Sequence, residues 1–103
     1  MRKVTRNTIS AFLNRNQITE GNTYSDGDSL RLFNNTIAKW KGDSLFITNA
    51  GYETITTKER LNGIGRLNNI RRFSIFQKDY QWFIQFDHSD KPVAWNGEWI
   101  EIK

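Results

Sequence analysis

The chain has 103 residues, 37% of them hydrophobic and 14% aromatic, no cysteine, and a net charge of +4. That length suffices for one domain, residues 1–103, and is too short for two. Disulfides, thiolate metal sites and cysteine nucleophiles are excluded, and no apolar run approaches the roughly 20 residues that span a bilayer.

A reducing compartment suits such a chain. With a modest apolar fraction, large rings must supply much of the buried area, at about 150–250 Å² each. The placement of charge is uneven. Residues 1–19 hold Arg2, Lys3, Arg6 and Arg15 with no acid, and residues 58–72 hold Lys58, Arg60, Arg66, Arg71 and Arg72 against Glu59 alone. If these two clusters meet in space they form a basic face that attracts polyanions.

In chain order, Ile9, Phe12 and Leu13 fall at helical spacing with Val4 about a turn earlier, which predicts a helix over 4–15. The segment is basic but has no unbroken apolar core or small-residue cleavage site, so it reads as structure and not as a leader. Residues 19–28 (TEGNTYSDGD) are rich in turn formers and read as a loop. Strands are expected at 29–33, 36–40 and 44–48, joined by turns at Asn34-Asn35 and Gly42-Asp43. Two-residue turns would pair Trp40 with Leu45 and Ala38 with Ile47. Leu30, Leu32, Ile37 and Phe46 would then share the opposite face. Both faces come out partly apolar, which requires either a sheet covered on both sides or a longer turn.

The stretch NAGYETITTKERLNG, residues 49–63, fits a turn and then a short capped helix. Thr56 would be the N-cap with Glu59 reaching back, and Asn62-Gly63 the C-terminal stop. Lys58 and Arg60 are not required by such a cap and are left for binding. Beyond it, strands 70–77 and 80–87 join through Lys78-Asp79, pairing Gln77 with Tyr80, Ile75 with Trp82 and Phe73 with Ile84. One face would be an apolar wall of Phe73, Ile75, Tyr80, Trp82, Ile84 and Phe86. The other would carry Arg72, Ser74, Phe76, Gln81, Phe83 and Gln85. A last hairpin, 93–95 to 98–102, would turn on Asn96-Gly97. The order helix, three strands, short helix, four strands indicates an α+β domain with antiparallel meanders of about six to seven strands.

Catalytic signatures are weak. His88 is the single histidine and sits in a polar loop beside Asp87, Ser89 and Asp90, with adjacent residues poorly placed to act as a relay. Asp26 and Asp28 flank a glycine without the later ligands of a calcium loop, and Gly63-Ile64-Gly65 lacks the Lys-Ser/Thr of a phosphate loop. No enzymatic activity, metal or cofactor is expected. Two features can carry binding. Lys58, Arg60, Arg66, Arg71 and Arg72 around a helix start can hold phosphates. Phe76 and Phe83 beside Arg72 on a strand face can stack bases or meet a protein partner, unless the N-terminal helix covers them.

Gly21-Asn22-Thr23, the run Leu30 to Trp40, Gly51, Thr54 and TTKERLN at 56–62 resemble a family of small proteins carried by bacteriophages and prophages, over roughly residues 9–64. The resemblance implies an anti-CRISPR role for some members, against the Cas9 effector of type II-A systems. It therefore implies Cas9, or the Cas9–guide RNA complex, as partner and the cytoplasm of a bacterial host as location. It carries no binding residue with it. Since acidic DNA mimicry does not suit this charge balance, the expected mode is stoichiometric binding through a basic surface. DNA or RNA binding unrelated to CRISPR is the alternative.

Overall fold

The computed structural model describes residues 1–103 and has the α+β architecture expected. A first helix, α1 (Lys3–Leu13), leads into five antiparallel strands: β1 (Gln17–Glu20), β2 (Thr23–Asp26), β3 (Ser29–Leu32), β4 (Asn35–Lys41) and β5 (Ser44–Ile47). A second helix, α2 (Ile55–Leu67), follows, then β6 (Phe73–Lys78), β7 (Gln81–Phe86), β8 (Val93–Ala94) and β9 (Ile100–Ile102). The strands form two sheets, one ordered β1-β2-β3-β4-β5-β9 and the other β6-β7-β8.

The expected loop at 19–28 is largely strand: β1 ends at Glu20, a turn occupies 21–22 and β2 spans Thr23–Asp26. Thr23 and Ser25 are fully buried, because their hydroxyls find partners: Thr23 Oγ1 bonds Asn22 and Arg60, and Ser25 Oγ donates to the Asn16 carbonyl. Polar side chains that are satisfied internally can occupy an inward row, and a reading by hydrophobic alternation passes over them. The turn into β3 is held by Asp26, whose carboxylate accepts from the backbone N–H groups of Ser29 (2.7 Å) and Asp28 (2.8 Å).

The doubly apolar faces of the central meander are resolved by a bulge. Leu30 pairs with Ala38 but Arg31 with Thr36, so Ile37 is the extra residue in β4. Ile37 and Ala38 are both buried, and the pairs Ala38–Ile47 and Trp40–Leu45 follow as expected. The β3–β4 turn lies at Phe33-Asn34, both with positive φ, one residue earlier than Asn34-Asn35. The β6–β7 turn is displaced in the opposite direction, one residue later than Lys78-Asp79, to Asp79-Tyr80. Moving a turn by one residue moves the pairing by two, so Ile75 faces Ile84 and Phe73 faces Phe86 while each side chain keeps its face. Tyr80 leaves the expected wall for the turn and is 94% exposed.

Helix α2 is longer than the sequence suggested. Thr54, not Thr56, is its N-cap, accepting from the Thr57 N–H at 3.1 Å. Asn62-Gly63 does not end it, because Gly63 and Gly65 are sites of close approach. A Cβ at Gly63 would strike Thr5 and Ile9 of α1, and one at Gly65 the Phe73 carbonyl of β6. The two glycines let α2 lie between α1 and the second sheet. Asn62 bonds both backbone groups of Ile75 (2.7 and 2.9 Å) and so closes the outer edge of β6.

The expected terminal hairpin is absent. Val93 and Ala94 pair with β7, whereas Ile100–Ile102 pairs with β5 in the other sheet. Asn96-Gly97 carries the chain across, with the Gly97 carbonyl accepting from the Asn49 N–H at 3.1 Å. One core joins both helices and both sheets, from Ile9, Phe12, Leu30 and Ile47 through Leu61 and Ile64 to Phe73, Trp82 and Trp95.

Candidate nucleic-acid interface

The seven residues singled out for binding divide among four places. Arg60 is inside the protein, 2% exposed. Its Nε donates to Thr23 Oγ1 (3.0 Å), one terminal nitrogen to Thr5 Oγ1 (2.9 Å) and to the Glu59 carboxylate, and the other to Asn22 (3.2 Å). Burial pulls its pKa down from the usual guanidinium value, and the neighbouring Glu59 opposes that. Arg60 therefore pins α1, α2 and β2 together and is unavailable to a partner. Glu59, expected to cap α2, instead serves this network and also receives Thr5 Oγ1 at 2.8 Å.

Lys58, in the first turn of α2, lines a shallow depression that it shares with Gln77, Asp79 and Tyr80 and that includes none of Arg66, Arg71 and Arg72. The N-terminal cluster approaches this end of α2, where Arg2 stands 3.9 Å from Glu59. Arg15, at the far end of α1, lies over the Trp40 ring at 4.3 Å and donates to the Gly42 carbonyl. Arg2 lies at the start of α2, whereas Arg66 lies at its other end.

Arg66, Arg71 and Arg72 do come together. The last turn of α2 supplies Arg66, and the link to β6 supplies the other two. Asn68 shapes that link: its side-chain oxygen accepts from the N–H groups of Ile70 (2.9 Å) and Arg71 (2.8 Å), while its amide nitrogen donates to the Ile64 carbonyl (2.7 Å). A solvent-open groove of ≈ 470 Å³ results, lined by the three arginines with Asn69 and Ile70. All three arginines are exposed, and none has an Asp or Glu side chain within 4.0 Å; the side-chain ion pairs involve only Arg2 and Arg60, both with Glu59. Arg71 is held in place, its guanidinium 4.2 Å over the Phe86 ring and donating to the Lys103 carbonyl at 3.2 Å. A guanidinium cluster with one member held in place and none paired to an acidic side chain retains free donors for phosphate oxygens.

Phe76 and Phe83 pair across β6 and β7, with ring centroids 5.5 Å apart and planes inclined by 18°. They are half-buried, on the face of the small sheet turned away from Phe73, Ile75, Trp82 and Ile84, and α1 does not cover them. Arg72 belongs to the same face by alternation, four residues or about 13 Å along the strand. His88 is exposed at positive φ in the turn after β7, and no three His, Asp or Glu side chains are grouped so as to hold a metal ion.

The family model of the Kyanoviridae Gp96 protein matches residues 1–101. The chain belongs to this phage protein family. No curated protein and no solved structure matches the chain. The phage origin implied by the sequence resemblance therefore stands on a match across nearly the whole chain, whereas family membership assigns no activity. No helix of this Gp96 family protein is long and apolar enough to cross a membrane.

Proposed function

We propose that this phage protein is a non-enzymatic binder of nucleic acid that holds the phosphate backbone in the Arg66–Arg71–Arg72 groove. One observation carries the reading: three guanidinium groups, one of them fixed by Phe86 and the main-chain oxygen of Lys103, line an open groove in which no Asp or Glu side chain pairs with them. Contacts of this kind position a protein on a polyanion without reading bases. Inhibition of a type II-A Cas9 effector is the narrower form of the proposal. The sequence resemblance supports its target, and the groove supports its chemistry, since guide RNA and target strands are polyanions held along their backbones.

The test measures binding of labelled single- and double-stranded oligonucleotides across a salt series, with and without the triple change Arg66→Ala, Arg71→Ala and Arg72→Ala. The wild-type affinity is expected to fall steeply with salt. The triple variant should bind at least tenfold more weakly to all sequences alike, with a log–log salt slope shallower by about 2–3. An unchanged slope in the folded variant removes the groove from the interface. Adding the protein to Cas9 before or after guide and target, and following cleavage, decides the narrower form: undiminished cleavage in every order eliminates it.

A further inference from the structure

The outer face of the six-stranded sheet carries a pattern that neither the sequence reading nor the arginine groove uses. Tyr24 in β2 stands opposite Arg31 in β3, and Lys39 in β4 stands opposite Phe46 in β5. Each alternates with inward residues that are fully or almost fully buried: Thr23 and Ser25, Leu30 and Leu32, Ala38, Leu45 and Ile47. The four side chains therefore lie on the face away from both helices, and all four are partly exposed. Trp99, just before β9, is 43% exposed and lies under the Lys39 ammonium at 4.2 Å.

We infer that this face is a stacking surface for single-stranded nucleic acid. Tyr24, Phe46 and Trp99 take bases, and Arg31 and Lys39 meet the phosphates. Tyr24 and Phe46 are partly exposed and Trp99 is 43% exposed, so one side of each ring is open to solvent beside a cation. Aromatic rings alternating with cations across neighbouring strands are what a splayed single strand requires, since every base has a π-face and every link a charge. Four strands about 4.8 Å apart make a strip roughly 14 Å wide, and a surface of that size stacks about two or three bases.

Charge decides between this occupant and a protein. Neither Arg31 nor Lys39 has a carboxylate within ion-pairing distance, and Arg31 Nε is buried with no hydrogen-bond partner. The acids of this face are Glu101, opposite Phe46 on the edge strand β9, and Asp26, at the end of β2, whose carboxylate is occupied by the N–H groups of Asp28 and Ser29; they stand at its two margins. The groove and the face are joined by β9: Arg71 donates to Lys103 just after the strand, and Trp99 precedes it. The inference does not depend on the arginine groove, because its residues, its sheet and its contact chemistry are separate.

Fluorescence anisotropy with a labelled oligothymidylate of about 12 nucleotides tests it, a length within the span of known single-strand sites. Tyr24→Ala with Phe46→Ala should weaken binding at least about 30-fold, the loss expected from two stacked bases. Tyr24→Phe with Phe46→Trp preserves the rings and should bind within about twofold of wild type, which separates stacking from misfolding. Lys39→Ala should reduce the salt slope by about one. If the double alanine variant binds like wild type while the triple arginine variant does not, the sheet-face inference falls and the groove stands. If the outcome is reversed, the groove falls and the sheet face stands. Wild-type protein that binds no oligonucleotide at low salt overturns both.

Discussion

A guanidinium that leaves water must recover its hydrogen bonds inside the protein, and Arg60 does so through Glu59, Thr5, Thr23 and Asn22. The polar residues buried around it, Thr5 and Thr23, lie in the interior because Arg60 is there. Arg60→Met keeps the apolar stem and removes the head, stranding a carboxylate and two hydroxyls. A loss of about 3 kcal/mol is expected, read as a lower urea midpoint at unchanged slope. A loss below about 0.5 kcal/mol, the range of ordinary surface changes, would mean that the network holds nothing together. Nothing in KERL distinguishes Arg60 from Lys58 when the sequence is read alone. Both look like surface cations, and only the inward threonines of α1 and β2 reveal which one is buried. Those threonines carry no hydrophobic signal, which is why Arg60 was assigned to binding and β2 to a loop.

Among the elements, α2 does the most to connect the molecule. Gly63 lets it approach α1, Gly65 lets it approach β6, and Asn62 seals the β6 edge at Ile75. Asn62→Ala should cost about 1–3 kcal/mol, because it strips two buried backbone groups of their partners. Hydrogen exchange should show the Ile75 amide losing protection while the helical circular dichroism is retained. Equal protection in variant and wild type would show that the edge is closed by other means. The same three residues explain why the sequence predicted too short a helix. Asn-Gly is a stop signal by local propensity, and here tertiary packing overrides it. The helix α1, the strand faces of β6 and β7, and the β4–β5 register were legible because alternation and periodicity are strong there. The turns were less so. Phe33 and Tyr80 adopt positive φ in spite of their side chains, a choice that turn propensities argue against.

At the scale of the whole molecule, the parallel run of α1 beside α2 keeps Lys3 and Arg6, in the first turns of α1, apart from the groove arginines. Thr5 meets Glu59 and Arg60, so the first turns of α1 lie at the start of α2, while the arginine groove lies past its end. Seven helical residues, Glu59 to Arg66, separate them by about 10 Å along the axis. That distance exceeds the screening length of about 8 Å at physiological salt. Lys3→Ala with Arg6→Ala should therefore change groove-dependent oligonucleotide affinity by less than about twofold at that salt, against tenfold or more for the groove arginines. An equal loss in both variants would mean that the clusters act as one field. Charge clustering along the sequence was a fair guide to where cations are dense, and a poor guide to which of them share a surface, because helix packing decides that.

Finally, β8 and β9 lie five residues apart in the chain yet belong to different sheets, with Gly97 at the crossing. The pair Leu45–Ile102 closes a span that includes α2 and the entire small sheet. Docking β9 on β5 therefore closes a loop of more than fifty residues, a cost offset most fully once α2 and the small sheet are in place. Such wiring favours all-or-none unfolding, and it makes docking of this short terminal strand a late step in folding.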